Sequence, residues 1–371
     1  MLRGPEQVIP QADPKQRLFE ARDEIRRAIA RVFDRGSFIL GDELAAFEAE
    51  FATYVGVRHA VGVSSGTQAL SLALAALGIG RGDEVITVSM TFAATAAAIE
   101  AVNAIPVFVD VDPATRCIDP ALVAAAVGPD TAAIVPVHLH GFPAPMESLL
   151  AIAARHGLAV IEDCAQSHGA MIAGRRTGAF GQAGAFSFYP TKNLGAAGDG
   201  GAVTTDDPAV AAKVRRLRNY GLDETQQCVE SGVNGRLDEL QAAILRVLLP
   251  SLDRHNDERR LLASRYRSKL ASHASWLPPN DQGAVYHQFA VAVPNRDRIR
   301  LMLASSHGIE TGIHYPRGVH RHPHFSRSGV SLPITDQLAD RLLSLPIQPQ
   351  IARDRVEAIA DALLEAEYAC R

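Results

Sequence analysis

The sequence predicts an α/β fold: a mostly parallel sheet wrapped by helices, followed by a smaller C-terminal α/β domain. Three observations carry this expectation. Short runs rich in Val and Ile recur up to about residue 250, Ala-rich helical stretches separate them, and after Pro250 the pattern changes to a long charged segment and Pro-rich turns. In chain order, a helix is expected near residues 15–34, reaching across in space to join the C-terminal domain. The strand-like runs are AVGV (60–63), EVITV (84–88), IPVFVDVD (105–112), AAIVPVHL (132–139), LAVIED (158–163), GAFSF (184–188) and GAVTT (201–205). Helical spacers such as QALSLALAALG (68–78) lie between them. Residues 251–273 read as a charged helix and YHQFAVAV (286–293) as a strand of the smaller domain. The expected division is a large domain over 1–250 and a small one over 251–371.

Composition narrows the class of function. With 47% hydrophobic residues the chain can bury a sizeable core, which excludes a disordered chain. Lys and Arg number 37 against 41 Asp and Glu, a net charge of −4, so there is no electrostatic case for nucleic acid. Cys117, Cys164, Cys228 and Cys370 are scattered without a CxxC pair, which points to a reducing compartment. The first residues pass through Pro and charge before any apolar run, and no later run reaches about 18 apolar residues. A cytoplasmic protein without membrane contact is expected.

Open parallel sheets bind ligands beyond the carboxyl ends of their strands, so the chemistry is sought just after these runs. In VGVSSGTQALSLAL a strand runs into Ser64, Ser65, Gly66 and Thr67 and then a helix. Small residues and free first-turn N–H groups suit a phosphate there, although an ordinary Ser or Thr N-cap has the same appearance. LAVIEDCAQSHGA places Glu162 and Asp163 at a buried strand end, with Gln166 and His168 beyond. Strand alternation sends the two carboxylates to opposite faces, so only one can enter a given site; a helix-capping Asp is the alternative. In FSFYPTKNLGAAGDGG a single lysine, Lys192, lies between an aromatic strand end and a glycine-rich return. Desolvation makes a lysine amine nucleophilic, which suits it to capture an aldehyde; a structural loop lysine is the alternative.

The ordered set SSGTQAL, MTFAAT, EDCAQSHGA, FSFYPTKN, GDGGAVTTDD and GVNGRLDELQAAIL resembles the DegT/DnrJ/EryC1/StrS family of pyridoxal-phosphate sugar aminotransferases, of aspartate-aminotransferase-like fold type I. The resemblance extends from RGSFILGDELAAFEAEF to GIHYPRGVH and LSLPIQPQI. It implies a pyridoxal 5'-phosphate site in which Lys192 binds the cofactor aldehyde and acts as the catalytic residue. Asp163 then pairs with the ring nitrogen, Glu162 faces away, Gln166 lies near the ring's 3-oxygen and Phe92 stacks on the ring. Gly66, Thr67 and Ser187 form the phosphate cup. Asn234, ahead of Arg236, lies in the segment that in similar enzymes reaches the neighbouring subunit's phosphate, so a homodimer with active sites at the interface is implied. His314 and Tyr315 resemble a segment at the substrate mouth, or a packed turn.

The implied reaction is amino transfer in two halves. L-glutamate gives up its amino group and leaves as 2-oxoglutarate; a nucleotide-linked keto-sugar, a dTDP-keto-6-deoxyhexose aminated at C3, then accepts it. A keto-cyclitol such as scyllo-inosose is the alternative acceptor. A regulator or a sugar dehydratase that binds the same cofactor is the reading from a different class; the family's dehydratases carry histidine where this chain has Lys192, and a pure interaction protein would have no reason to retain Lys192, Asp163, Gln166 and Ser187 together. No metal is expected: His320, His322 and His324 alternate, but Pro323 breaks the strand and no carboxylate or cysteine is close in sequence. RRLRNYGL (215–222) reads as a solvated helix face, and Trp276 and Cys164 as core packing.

Overall fold

Five-residue runs of β-branched and small residues, buried along nearly their whole length, can only be strands covered on both faces. The computed structural model describes residues 8–326 and 329–370. It forms β1 (His59–Val63), β2 (Glu84–Val88), β3 (Ile105–Val109), β4 (Thr131–Val135) and β5 (Ala159–Asp163). A short hairpin, β6 (Met171–Ile172) and β7 (Arg175–Arg176), precedes β8 (Ala183–Ser187) and β9 (Gly201–Thr205). The main sheet has the order β1-β9-β8-β5-β4-β2-β3. All neighbours are parallel except that β9 runs antiparallel to both β8 and β1.

Three helices precede the sheet: α1 (Pro14–Glu20), α2 (Arg22–Arg35) and α3 (Asp42–Val55). The crossovers use α4 (Gly66–Ala76), α5 (Ala94–Ala101), α6 (Pro120–Ala126) and α7 (Met146–His156), and α8 (Pro208–Leu217) and α9 (Glu239–Leu248) follow β9. The rest comprises α10 (Leu252–Lys269), β10 (Phe289–Ala292), α11 (Arg296–His307), α12 (Pro333–Arg341), β11 (Leu342–Leu345) and α13 (Arg353–Cys370), with β10 and β11 antiparallel. One apolar cluster runs from Ile86, Met90 and Val160 to Leu262, Tyr266, Phe289 and Leu363, so packing is continuous across Pro250. No helix among the described residues is long and apolar enough to cross a membrane.

Several local expectations need correction. The helix expected over 15–34 is two helices broken at Ala21, and α2 packs not on the C-terminal part but on α9. The reason is its stripe Ile25, Ala28 and Val32; the latter two meet Ala243, flanked by Leu240 and Val247. α1 does reach the C-terminal part, with Glu20 3.6 Å from His255 of the long helix after Pro250, and the residues before it join in through Ile9 N–H to Gly308 O (2.9 Å), Gln348 Nε2 to Pro10 O (3.0 Å) and Gln11 Nε2 to Gln288 Oε1 (2.6 Å). β3 stops at Val109 because Asp110 turns its carboxylate to Val111 N–H (2.9 Å) and to the first turn of α12. The run RRLRNYGL is not a solvated face throughout: Arg218 is buried against Glu48 and donates to Gly62 O at 2.7 Å.

Candidate active site

At the carboxyl ends of β1, β5 and β8 lies a cavity of about 470 Å³. Gly66, Thr67, Phe92, Asp163, Gln166, Ser187, Lys192, His314 and Tyr315 all border it. Asn234 does not. It is exposed and forms a backbone bridge with Asn219, and Arg236, its neighbour, donates to Asn219 Oδ1 at 3.3 Å.

The cavity is built by the strand ends. β1 delivers Ser65, whose Oγ accepts from Gln68 N–H at 3.1 Å and caps α4, leaving the first-turn amides of Gly66 and Thr67 outside the helical ladder. A Cβ on Gly66 would lie 2.5 Å from Ser187 Cβ, so glycine is the residue that keeps this cradle open. β5 ends in the two carboxylates, and alternation separates them. Glu162 is fully buried and saturated: it accepts from Phe180 N–H (2.7 Å), Gly181 N–H (2.9 Å), Gly178 N–H (2.8 Å) and His138 Nε2 (3.0 Å). Asp163 accepts from Thr95 Oγ1 (2.8 Å) and Ala165 N–H (3.1 Å) on the cavity side. Burial raises its pKa, with these hydrogen bonds and the Lys192 charge acting against the rise.

Lys192 is pushed down to about 8 by burial, opposed by the Asp163 carboxylate. Gln166 has its amide fixed at both ends, Oε1 accepting from His140 N–H (2.6 Å) and Nε2 donating to Tyr315 OH (2.9 Å). His140 in turn donates from Nε2 to His314 O (2.9 Å), and burial takes its own pKa down to about 3, so the ring is neutral. His314 is lowered to about 4 by burial and by the Lys192 charge. The Phe92 ring is 60% exposed at the cavity, 5.7 Å from the Tyr315 ring.

These features fit a phosphorylated pyridine aldehyde. The cradle has amide and hydroxyl donors for a phosphate, Asp163 is a buried carboxylate with room for a cationic N–H partner, and Phe92 offers an open aromatic face. The His-rich segment behaves otherwise: His320 bonds Ser89 Oγ (2.6 Å) while His324 bonds Glu100 (2.7 Å), so these imidazoles do not converge. Among the described residues, His138, Glu162 and Cys164 do lie close together. His138 Nδ1 accepts from Ala144 N–H at 2.9 Å and Glu162 is saturated as above, so that group is a hydrogen-bonded knot.

Sequence reasoning missed Thr95, His140 and Arg17. Thr95 lies in the first turn of α5, and its hydroxyl meets that of Thr91, in the turn before the helix, at 2.9 Å. His140 and Arg17, whose guanidinium bonds the Lys192 loop, act through contacts distant in sequence that no local pattern marks.

Fold and cavity together define a pyridoxal-phosphate-dependent aminotransferase. The chain matches the DegT/DnrJ/EryC1/StrS aminotransferase family over residues 20–364 and belongs to it. It is 47% identical over 363 residues to a dTDP-3-amino-3,4,6-trideoxy-alpha-D-glucose transaminase of Streptomyces venezuelae, covering 96% of each chain. It is 46% identical to a UDP-N-acetyl-3-dehydro-alpha-D-glucosamine 3-aminotransferase of Acidithiobacillus ferrooxidans, covering 96% of this chain and 97% of that one. The crystal structure of DesV from S. venezuelae superposes with a TM-score of 0.94 at 46% identity, over 98% of this chain and 99% of that one.

Proposed function

We propose that this aminotransferase moves the amino group of L-glutamate to C3 of a dTDP-linked keto-6-deoxyhexose, with its sites at the interface of a cytoplasmic homodimer. The observation that carries the aminotransferase reading is that Lys192 and a buried carboxylate, Asp163, border one cavity. Pyridoxal phosphate, when bound, supplies an aldehyde to receive the amino group and a ring that withdraws electrons. The protein supplies the rest. Lys192 Nζ would hold that aldehyde and, as the amine nearest to it, would serve as the general base for the proton on the donor's Cα. Asp163 holds a proton on the ring nitrogen, and Thr95 holds Asp163. Gly66, Thr67 and Ser187 would hold the phosphate, Phe92 would cover the ring, and Gln166 would serve its 3-oxygen. His314 and Tyr315 stand on the acceptor side, where the open mouth at Phe92 leaves room for a sugar nucleotide. Asn234, exposed on its own chain, serves the phosphate of the neighbouring subunit.

A 3-amino sugar nucleotide in the name of one relative and a 3-dehydro sugar nucleotide in the name of the other support a C3 acceptor. The test loads the enzyme with glutamate, removes 2-oxoglutarate, and offers dTDP- and UDP-linked 3-keto and 4-keto sugars and scyllo-inosose in turn. The dTDP-3-keto-6-deoxyhexose should be aminated most efficiently by kcat/KM. A preference for scyllo-inosose would overturn the acceptor while leaving the transaminase standing.

A further inference from the structure

Residues 190–195 carry Lys192 through a stretch that is neither helix nor strand, so its carbonyls have no ladder to join. Backbone bonds run from Lys192 N–H to Tyr189 O (2.8 Å) and from Ala196 N–H to Phe188 O (2.7 Å), and neither accepts on a carbonyl of the stretch. The carbonyls turn instead to one guanidinium from the far end of the chain. Arg17 of α1 donates from Nη1 to Lys192 O (2.6 Å) and Asn193 O (3.2 Å), and from Nη2 to Pro190 O (2.8 Å) and Gly195 O (3.0 Å). The side chain is 8% exposed, burial lowers its pKa to about 10, and among the described residues no carboxylate pairs with it. A buried cation without an anion is a costly choice for a residue whose only task is packing.

The geometry points to Arg17 as a positioning residue: its planar fork gathers four carbonyls of the lysine loop and thereby fixes where Lys192 Nζ stands relative to Asp163. This rests on the reading of Lys192 as the lysine that binds the cofactor. The fork is the essential property, because an ammonium keeps the charge but cannot present paired, coplanar donors to carbonyls on both sides. Arg17 also borders a second, small cavity of about 30 Å³ shared with Pro190, Thr191 and Asn193. That space is large enough for about two waters, so truncation at position 17 would enlarge an existing hole into which a small planar cation can enter.

The experiment uses holoenzyme of wild type, Arg17→Lys and Arg17→Ala. Four quantities are read: the pH midpoint of the visible band of the lysine-bound cofactor, the cofactor dissociation constant, kcat, and the melting temperature of the cofactor-free protein. Arg17→Lys should shift the midpoint by about half a pH unit or more and weaken cofactor binding about tenfold, because the amine is no longer held in register with Asp163. In Arg17→Ala, guanidinium chloride at about 10 mM should restore kcat several-fold, whereas the same concentration of sodium chloride should not. If Arg17→Ala does not fold, Arg17→Lys alone decides by its midpoint. An unchanged midpoint and affinity in Arg17→Lys, or losses that follow only the melting temperature with no guanidinium rescue, would overturn the proposal. Borohydride reduction of the wild type with peptide mapping separates this outcome from failure of the lysine reading: adduct away from residue 192 sinks the latter, whereas adduct at 192 with unaffected Arg17 variants sinks only the role of Arg17.

Discussion

Replacing Asp163 by Asn should lower the pH at which Lys192 loses its proton. Two opposed influences act on Nζ: burial drives it from 10.5 down to about 8, and the Asp163 charge limits that fall. At about pH 7.5 an amine titrating near 8 is neutral in roughly a quarter of molecules, whereas an ordinary lysine is neutral in roughly one in a thousand. Cofactor-free enzyme should therefore capture added pyridoxal phosphate at a rate that climbs with pH and levels off above about 8. In Asp163→Asn the stabilising charge is absent, so the midpoint should move down by roughly one unit, equivalent to about 1.4 kcal/mol. Stopped-flow absorbance from about pH 6 to about pH 10, with mass mapping of the trapped adduct, reads both midpoints. A wild-type midpoint near the ordinary lysine value, or an upward shift in Asp163→Asn, would refute the account of the site.

Glu162→Gln should show the opposite pattern to its neighbour. Its amide nitrogen would face N–H donors in a saturated pocket, so thermal unfolding should report a loss of about 2–3 kcal/mol while the folded fraction binds cofactor normally. Gly66→Ala places a methyl against Ser187 and should weaken pyridoxal phosphate at least about tenfold in a fluorescence titration, with little change for phosphate-free pyridoxal. Mixing inactive Lys192→Ala and Asn234→Asp under subunit exchange should restore up to about a quarter of wild-type activity if the two residues serve one site from different chains. No recovery despite proven exchange would assign Asn234 to its own chain.

What the sequence made legible was governed by local pattern. EVITV and GAVTT coincide with β2 and β9 to the residue, because apolar runs bounded by turn residues leave the backbone little choice. The separation of Glu162 from Asp163 followed from strand alternation alone. Where long-range contacts decide, the pattern misled. The strand expected from residue 286 begins at Phe289 because Tyr286 adopts φ +45° and the preceding segment bonds residues 140 and 141 instead, through Gln288 N–H to His140 O and Val285 N–H to Gly141 O. The Ala21 break and the turn of Arg17 toward the lysine loop were equally invisible, since α1 on its own looks like an unremarkable charged helix. The cavity residues were easier to find than the residues that orient them: the former sit at strand ends, the latter can come from anywhere.

The pairing of β1 with β9 has a consequence for biosynthesis. β1 is an edge strand whose one sheet neighbour is antiparallel β9, and His59 meets Thr205 only after the intervening crossovers have been made. Ribosomes add about 5–20 residues per second, so on the order of ten seconds elapse between the emergence of β1 and that of its neighbour. During that interval Ser65, Gly66 and Thr67 follow a strand without its sheet neighbour, while β8, which carries Ser187, can pair only with β5. The phosphate cup thus closes late. Until then the nascent chain exposes a Val-rich edge of the kind that chaperones recognise and that pairs with other chains when left uncovered.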